Sequence, residues 1–365
     1  MVLAIRTALY EQHLESGANI VDFHGFELPI WYSSIKDEHL VTRSEVGMFD
    51  VSHMGCFRFT GDNVRAELEA IATQRVTSIP PGRCAYTHFL DNDGFIIDDM
   101  IFAIVSESEI LGVPNASMID VMWDWFAQSL PENVTVENLS AETSIIALQG
   151  PKAPQVLAQV LGDSNACGRF RWQVIEENSL GITGWIQGTG YTGEKGFEIF
   201  IPNHQAPNLW KALLAAGSTP VGLGARDTLR LEKGYLLSGQ DFQNPSLGDD
   251  VFLHRDSWET NVPFGLDLNH DFIGKNRIES SSLGSQRWWG IKYVERGPMP
   301  RPGKEVATED GTVIGKMTSG APSPSLENVG IGMAYLSGVS PGDEVYILAS
   351  PRKSVKAVVT SPPFI

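Results

Sequence analysis

Short apolar blocks with strand-like alternation and blocks with helical spacing follow one another along the chain. They predict strands in hairpins with helices between them. The block from Ile96 to Val105 holds eight apolar residues out of ten and follows the turn signal Asn92-Asp93-Gly94, so it predicts the second strand of a hairpin. Residues 143–162 predict a strand, a Gly-Pro turn and a helix with Pro154 in its first turn. Hairpins without steady βαβ alternation are typical of the α+β class.

The remaining periods extend this prediction to the whole chain. Helical spacing predicts helices within 62–73, 116–130 and 206–217, residues 182–202 predict a second hairpin, and residues 22–34 predict a packed loop. After about residue 246 short apolar stretches between Gly and Pro predict a small β-barrel or sandwich. We therefore expect a multi-domain α+β fold with antiparallel sheets, helices and a C-terminal β-barrel or jelly-roll-like domain. The expected domains are a discontinuous first α+β domain of 1–52 and 142–245, a second of 53–141, and a linker with the C-terminal β domain at 246–365.

Length and charge narrow the class of protein. At 365 residues the chain is too long for one ordinary core, and 36 Gly with 21 Pro favour many turns. Lys and Arg number 27 and Asp and Glu 44, which gives a net charge of −17 and argues against a general nucleic-acid or anionic-membrane surface. An anionic ligand would have to meet a local basic site.

Cysteine usage and the lack of a long apolar run predict a cytoplasmic protein. Cys56, Cys84 and Cys167 are odd in number and widely separated, so neither a disulfide framework nor a metal site is expected. The first 17 residues carry one Arg and too short an apolar stretch for a signal peptide, and their period predicts a short helix. No run of about 18 apolar residues occurs, so no membrane span is expected.

Two adjacent carboxylates, Asp98 and Asp99, interrupt the apolar strand of the first hairpin. Consecutive strand residues point to opposite faces, so one carboxylate can face water while the other points towards whatever covers the second face. A carboxylate on an apolar face either finds hydrogen-bond donors or has its pKa raised by desolvation. Such an arrangement builds a general base or an anchor for a cationic or N–H-bearing ligand.

Two glycine-containing motifs have both functional and structural interpretations. GTGYTG, residues 188–193, satisfies G-x-G-x-x-G, but the alternating segment FEIFIP follows it instead of a helix, so a tight connection is predicted rather than a dinucleotide site. In that segment Glu198 faces either the site or solvent at a sheet edge. In GLGARD, Gly222 and Gly224 allow close backbone approach before a helix, on which Arg226 either pairs with Asp227 or binds an anionic ligand.

Histidine and serine motifs give less support for catalysis. Neither H-E-x-x-H nor G-x-S-x-G occurs. Asp50 and His53, next to Met54 in FDVSHMG, resemble part of a catalytic triad, but no nucleophile has a suitable spacing. We expect His53 to be a hydrogen-bonded core histidine.

Eight ordered motifs carry a resemblance to a known family. They are DFHGFELPIWYSS, VGMFDVSHMG, GFIIDDMI, LQGP, GYTGEKGFEIFIP, GLGARDTLRLEKG, DFIGK and MTSGAPSPSL. Together they resemble the aminomethyltransferase family, the T-protein of the glycine cleavage system, over nearly the whole chain. The resemblance implies a T-protein-like fold and a tetrahydrofolate-dependent one-carbon transferase.

The resemblance also implies roles for individual residues. The second Asp of its I-D-D motif, Asp99, is the family's catalytic carboxylate, and Asp98 is its structural neighbour. Glu198 holds the pterin ring, and Arg226 meets the anionic tail of folate. These residue types suit a pterin, which requires a flat apolar slot, a carboxylate facing its N–H groups and a cation for its glutamate tail. The other implied folate-site residues are Met54, Tyr86, Val113, Asn115, Tyr191 and Tyr235, with Pro114 inside the family's Val-Asn pair.

The implied reaction moves a methylene group from the aminomethyl-lipoyl arm of an H-protein partner to tetrahydrofolate, and ammonia is released. Two alternatives stay open: a tetrahydrofolate-dependent demethylase of a small N- or S-methylated metabolite, and a non-catalytic folate-binding regulatory protein. The presence of Asp99, Glu198 and Arg226 together argues against the second alternative. The segment 242–270 is longer than usual in the family and matches it poorly, so its role and the identity of the donor stay open.

Overall fold

Antiparallel strands with helices between them make up the computed structural model, which describes residues 4–281, 286–350 and 352–365. The strands are β1 Ile5–Arg6, β2 Asn19–Phe23, β3 Phe26–Trp31, β4 Gly47–Asp50, β5 Phe57–Thr60, β6 Cys84–Leu90, β7 Ile96–Ile104, β8 Glu109–Val113, β9 Thr135–Asn138, β10 Thr143–Gln149, β11 Trp172–Val174, β12 Trp185–Gln187, β13 Gly196–Pro202, β14 Thr219–Pro220, β15 Arg287–Tyr293, β16 Glu305–Ala307, β17 Val313–Ser323, β18 Val329–Leu336, β19 Glu344–Ser350 and β20 Lys353–Thr360. The helices are α1 Tyr10–Glu15, α2 Ile35–Ser44, α3 Val64–Glu69, α4 Ile119–Ser129, α5 Ala153–Leu161, α6 Ala206–Ala215, α7 Leu223–Lys233 and α8 Lys275–Ser281. Short 3-10 turns lie at Val76–Ser78, Ala116–Met118, Asp163–Asn165, Asn203–Gln205, Val251–Leu253 and Pro324–Leu326.

Contacts divide the described residues into two units. The first contains the residues up to Thr87 together with Asp99–Arg226, and the second contains His88–Asp98 together with the residues from Asp227 onwards. None of the described helices combines the length and the apolar character needed to cross a membrane. The division into three domains stays a prediction.

A sheet in the order β11-β12-β13-β10-β4-β14 forms the centre of the first unit. Every residue of β10 is buried, as expected for an interior strand covered on both faces. Its apolar side chains share a core with α5 and α6, in which Leu157 and Trp210 are fully buried. The predicted strand, turn and helix at 143–162 are therefore confirmed, with Pro154 in the first turn of α5.

A second sheet, β6-β7-β8-β5-β9, contains the predicted hairpin. The backbone N–H of Asp91 donates to Phe95 O at 2.9 Å and closes the turn between β6 and β7. Helix α4 covers this sheet, because Phe126 makes edge-to-face contacts with Phe57 and Phe59, at 6.1 and 4.8 Å between ring centroids. The strand prediction for 96–105 is confirmed.

The packed loop predicted at 22–34 is wrong, because most of this segment forms the hairpin of β2 and β3. His24 and Gly25 have φ values of 51° and 82°. Positive φ at both central residues is the geometry of a two-residue hairpin turn whose twist matches that of the strands. The flanking aromatics are strand residues on either side of that turn.

The second unit contains a closed barrel in the order β15-β18-β17-β16-β19-β20, which confirms the C-terminal β-barrel of the predicted fold. A buried ion pair joins α7 to the segment that follows it: Arg230 Nη1 donates to Asp241 Oδ2 at 2.7 Å. Asp241 Oδ1 also accepts hydrogen bonds from Thr318 and Ser319 of β17, at 2.5 and 2.6 Å. The charges of this pair are therefore hydrogen-bonded, as buried charges must be.

Candidate active site

Asp99 lies on β7 and accepts a hydrogen bond at each of its carboxylate oxygens. Tyr86 Oη on β6 donates to Oδ2 at 2.7 Å, and Asn115 Nδ2, which follows β8, donates to Oδ1 at 2.6 Å. The donors converge because β7 lies between β6 and β8. Both are neutral, so these two hydrogen bonds fix the carboxylate without neutralising its charge. Asp99 is half-buried and Asp98 is fully buried, as alternation along a strand requires.

Glu198 lies on β13, an interior strand between β10 and β12, so it is not a solvent-facing residue at a sheet edge. It is half-buried, and its Oε2 accepts a hydrogen bond of 2.5 Å from Thr189 Oγ1. The loop that contains Thr189 connects β12 directly to β13. GTGYTG is therefore a tight connection between strands, as predicted, and no helix follows it.

Arg226 lies near the start of α7, with its guanidinium carbon 4.7 Å from the ring centroid of Tyr191. Burial lowers the pKa of Arg226, while the charge of Glu198 acts in the opposite direction. Asp227 forms its ion pair with Arg230 at 2.8 Å instead, so the predicted alternative of an Arg226–Asp227 pair is wrong. Among the described residues no carboxylate forms an ion pair with Arg226.

Gly222 permits the close approach predicted before this helix, because a Cβ there would lie 2.5 Å from the backbone of Ile30. The start of α7 therefore packs directly against the end of β3.

His53 is buried among aromatic rings, and one of its two ring nitrogens lacks the predicted hydrogen bond among the described residues. Its ring contacts Phe23 and Phe26, at 5.5 and 6.3 Å between centroids. Nδ1 has no hydrogen-bond partner among the described residues. Burial, and then the positive charge of Arg226, lower the pKa of His53 to about 3, so the ring is neutral at pH 7.

Asp50 pairs with His13, which lies outside all of the motifs described above. His13 Nε2 lies 2.8 Å from Asp50 Oδ2, and Tyr32 Oη lies 2.9 Å from His13 Nδ1. Burial would raise the pKa of Asp50, but the hydrogen bonds led by that from His13 outweigh it and hold the pKa below its usual range. The Asp50–His53 triad fragment is therefore excluded.

Two connections link the Asp99 group with the His53–Met54 segment and with Glu198 in the first unit. The backbone N–H of Gly55 donates to Pro114 O at 2.9 Å, which brings the His53–Met54 segment alongside Asn115. On β6, burial and then Cys167 and Glu198 raise the pKa of the Cys84 thiol. Cys84 and Tyr86 are two residues apart and share one face of β6. The charge of Glu198 therefore affects the same strand face that carries Tyr86, the hydrogen-bond donor to Asp99.

The remaining predicted positions are distributed over both units. Val113 is the last residue of β8 and pairs with Ile101 of β7. Tyr235 belongs to the second unit, where its backbone oxygen accepts a hydrogen bond from Arg230 at 2.9 Å. Within the described residues no group of three or more His, Cys, Asp or Glu side chains is arranged to hold a metal ion.

The poorly matched segment 242–270 packs on the tip of the first hairpin within the second unit. Ser257 Oγ lies 2.8 Å from His88 Nδ1, and the N–H of Ile96 donates to Arg255 O at 2.8 Å. A buried ion pair, Arg255–Glu259 at 3.0 Å, stiffens the segment. These contacts give it a structural role in holding the hairpin.

The fold, an α+β arrangement with a closed C-terminal barrel, is that of a T-protein-like enzyme. The family profile "GCVT N-terminal domain" matches residues 9–249, and "Glycine cleavage T-protein C-terminal barrel domain" matches residues 286–365. The chain therefore belongs to the glycine cleavage T-protein family.

Relatives and a solved structure agree with this assignment. The aminomethyltransferase of Thermotoga sp. (strain RQ2) is 35% identical over 368 residues, which cover 98% of this chain and 97% of that protein. The aminomethyltransferase of Chloroherpeton thalassium is 37% identical over 363 residues and 98% of each chain. The crystal structure of glycine cleavage system aminomethyltransferase T from Bartonella henselae matches with a TM-score of 0.89 and 28% identity, covering 99% of this chain and 98% of that one. The chain is thus an enzyme, an aminomethyltransferase, and the demethylase and regulatory alternatives are not favoured.

Proposed function

We propose that this enzyme transfers the methylene group of an aminomethyl unit, carried on the lipoyl arm of an H-protein, to tetrahydrofolate and releases ammonia. The products are methylene-tetrahydrofolate and the dihydrolipoyl form of the partner. One observation carries the proposal: the Asp99 carboxylate is fixed by two neutral donors in the same unit that contains Glu198 and the guanidinium of Arg226.

Asp99 is proposed to stabilise the positive charge that develops on the one-carbon unit as ammonia leaves. Its oxygens are already oriented by Tyr86 and Asn115, so the carboxylate does not have to reorganise during the reaction. Fixed charges of this kind stabilise a transition state more than mobile water does. The same carboxylate is suited to orient the attacking N–H of tetrahydrofolate.

Glu198 and Arg226 are proposed to hold the two ends of tetrahydrofolate. Thr189 occupies one position on Glu198 Oε2, and a carboxylate has about four acceptor positions, so acceptors remain for the paired N–H groups of the pterin. Arg226 has no ion pair among the described residues and is suited to the anionic glutamate tail. His53 beside it is neutral and adds no competing charge. We assign Met54, Val113, Tyr86, Asn115 and Tyr191 to the lining of this site, and the role of Tyr235 stays a prediction.

The family supports the H-protein partner in this proposal, and the cysteines support the compartment. A lipoylated H-protein is the donor that the T-protein family implies. Cys56, Cys84 and Cys167 are all free thiols, which supports a reducing, cytoplasmic location.

Ammonia release tests the proposed reaction. Aminomethylated H-protein and tetrahydrofolate are supplied to the enzyme, and the assay is repeated with small N- or S-methyl donors. We expect ammonia only from the H-protein donor. Turnover of a methylated metabolite in place of the H-protein would replace this function by that of a demethylase.

Asp99→Asn tests the assigned carboxylate, because it keeps the shape of the side chain and removes its charge. We expect kcat to fall by about 10²–10³-fold, the usual loss when one preorganised electrostatic group is removed, while tetrahydrofolate still binds in a titration. Asp98→Asn is the matched control one residue along the strand, and its kcat should stay near that of the wild type. Near-normal turnover by Asp99→Asn would remove Asp99 from the chemistry.

A further inference from the structure

We propose that Gln149 is a positioning residue for the folate substrate: its buried amide holds the loop 188–195, which contains Tyr191, and so sets the affinity for tetrahydrofolate. Gln149 belongs to the LQGP motif, to which the proposed mechanism gives no role. This inference rests on the proposed function, because the loop matters through the ligand that Tyr191, Arg226 and Glu198 hold.

The Gln149 side chain is hydrogen-bonded to the loop at several points. Gln149 is the last residue of β10 and only 1% exposed. Its Nε2 donates to Thr189 O at 3.1 Å and to Phe197 O at 3.3 Å, and its Oε1 accepts from Thr192 Oγ1 at 2.8 Å. One buried amide therefore joins both parts of the loop to the strand that follows it.

Two glycines of the loop region provide the space for this amide. A Cβ on Gly190 would lie 2.0 Å from Gln149 Oε1, and a Cβ on Gly196 would lie 2.6 Å from Gln149 Nε2. Both distances are far below a van der Waals contact, so a side chain at either position would displace the amide. The loop is glycine-rich because its backbone packs on a polar side chain, and this accounts for its resemblance to a dinucleotide motif.

The tethered residues of the loop are those next to the assigned folate groups. Thr189, whose carbonyl Gln149 binds, donates through its hydroxyl to Glu198 at 2.5 Å. Tyr191 lies between the tethered residues 189 and 192, with its ring against Arg226 at 4.7 Å. Displacement of the Gln149 amide therefore moves two residues together: Thr189, which donates to Glu198, and Tyr191, whose ring contacts Arg226.

A second clamp acts on the same loop. Arg43 Nη1 donates to Thr192 O at 2.6 Å and to Glu194 Oε1 at 2.9 Å. This contact holds the C-terminal half of the loop, so the loop does not unfold when the Gln149 amide is removed. In the N-terminal half of the loop, the Gln149 amide binds the carbonyl of Thr189.

Gln149→Met is the direct test, because methionine keeps the length of the side chain and removes its hydrogen bonds. The matched control is Asn165→Leu in the same unit. Asn165 is also a fully buried amide, and it binds the carbonyl of Leu161 and the N–H of Glu176, both at 2.8 Å. The readouts are the Kd for tetrahydrofolate by titration, hydrogen exchange of the 188–195 amides in the ligand-free enzyme, and the Tm.

We expect Gln149→Met to weaken tetrahydrofolate binding about tenfold, as expected when hydrogen bonds that order a binding loop are lost, and to speed amide exchange in the loop. Asn165→Leu should lower the Tm without changing either the Kd or the loop exchange. Thr192→Val should weaken binding in the same direction, and Thr192→Ser, which keeps the hydroxyl, should restore it. If Gln149→Met does not fold, the comparison of Thr192→Val with Thr192→Ser decides whether this hydrogen bond sets the affinity for tetrahydrofolate.

An unchanged Kd in Gln149→Met, or an equal change in Asn165→Leu, would overturn the inference and leave Gln149 a residue of general stability. A wild-type enzyme that does not bind tetrahydrofolate would instead refute the proposed function. In that case the exchange comparison between Gln149→Met and Asn165→Leu still decides whether the amide holds the loop.

Discussion

Removal of the Tyr86 hydroxyl tests whether the orientation of Asp99, apart from its charge, contributes to catalysis. Tyr86→Phe keeps the aromatic ring assigned to the folate site and deletes the donor that lies 2.7 Å from Asp99 Oδ2. Asn115→Leu removes the donor at 2.6 Å from the other oxygen. Each variant keeps the charge of the carboxylate and takes away one of the two hydrogen bonds that orient it.

The size of the effect follows from the type of hydrogen bond. A hydrogen bond to a charged group is worth about 1.5–3 kcal/mol, and about 1.4 kcal/mol corresponds to a factor of ten in rate. If the whole of that energy is used in the transition state, Tyr86→Phe lowers kcat by about 10–150-fold. Because both bonds orient the same carboxylate, we expect the double variant to lose less than the sum of the single losses.

The assay is ammonia release at saturating aminomethylated H-protein and tetrahydrofolate. Tyr32→Phe is the matched control, because it deletes a tyrosine hydroxyl of the first unit that is bonded to His13 at 2.9 Å. We expect Tyr32→Phe to lower the Tm and leave kcat unchanged. Equal kcat values for Tyr86→Phe, Tyr32→Phe and wild type would refute the idea that a fixed orientation of Asp99 matters to catalysis.

Two further predictions concern ligand binding and pH. Glu198→Gln and Arg226→Ala should each weaken tetrahydrofolate binding about tenfold or more in a titration, and only Arg226→Ala should reduce the preference for longer anionic tails; an unchanged Kd would contradict these assignments. Burial lowers the pKa of His88 from 6.5 to about 3, so below pH 6.5 the unfolded chain takes up a proton that the folded chain does not, and stability falls as the pH falls towards 3. His88→Gln should remove about 1.4 kcal/mol per pH unit from the slope of the unfolding free energy between pH 6 and pH 4 in urea titrations, and an unchanged slope would show that His88 is not the group responsible.

Elements set by local periodicity could be predicted from the sequence. The strand β7, the helix α5 after its Gly-Pro turn and the short barrel strands each follow from spacing within about 10 residues, which is the range over which period and turn residues act. The hairpin of β2 and β3 was missed, because Gly, Pro and aromatic residues indicate a turn without showing that strands flank it.

The details of the site could not be predicted, because its hydrogen bonds join residues far apart in the chain. His13 binds Asp50 across 37 positions, and Gln149 binds Thr189 across 40. No local pattern shows such pairs, so the sequence could not reveal that His53 Nδ1 has no hydrogen-bond partner among the described residues. The roles of Asp99, Glu198 and Arg226 were implied by the family's motifs rather than by periodicity.

The closed C-terminal barrel restricts how other molecules can be recognised there. Strand β15 pairs with β18 on one side and β20 on the other, so the ring has no open edge among its strands. An extended segment of another protein therefore finds no open edge strand in the closed ring to join, which disfavours β-strand addition. Recognition at this module has to rely on the side chains of strand faces and loops, so substitutions there can change the choice of partner while the sheet stays intact.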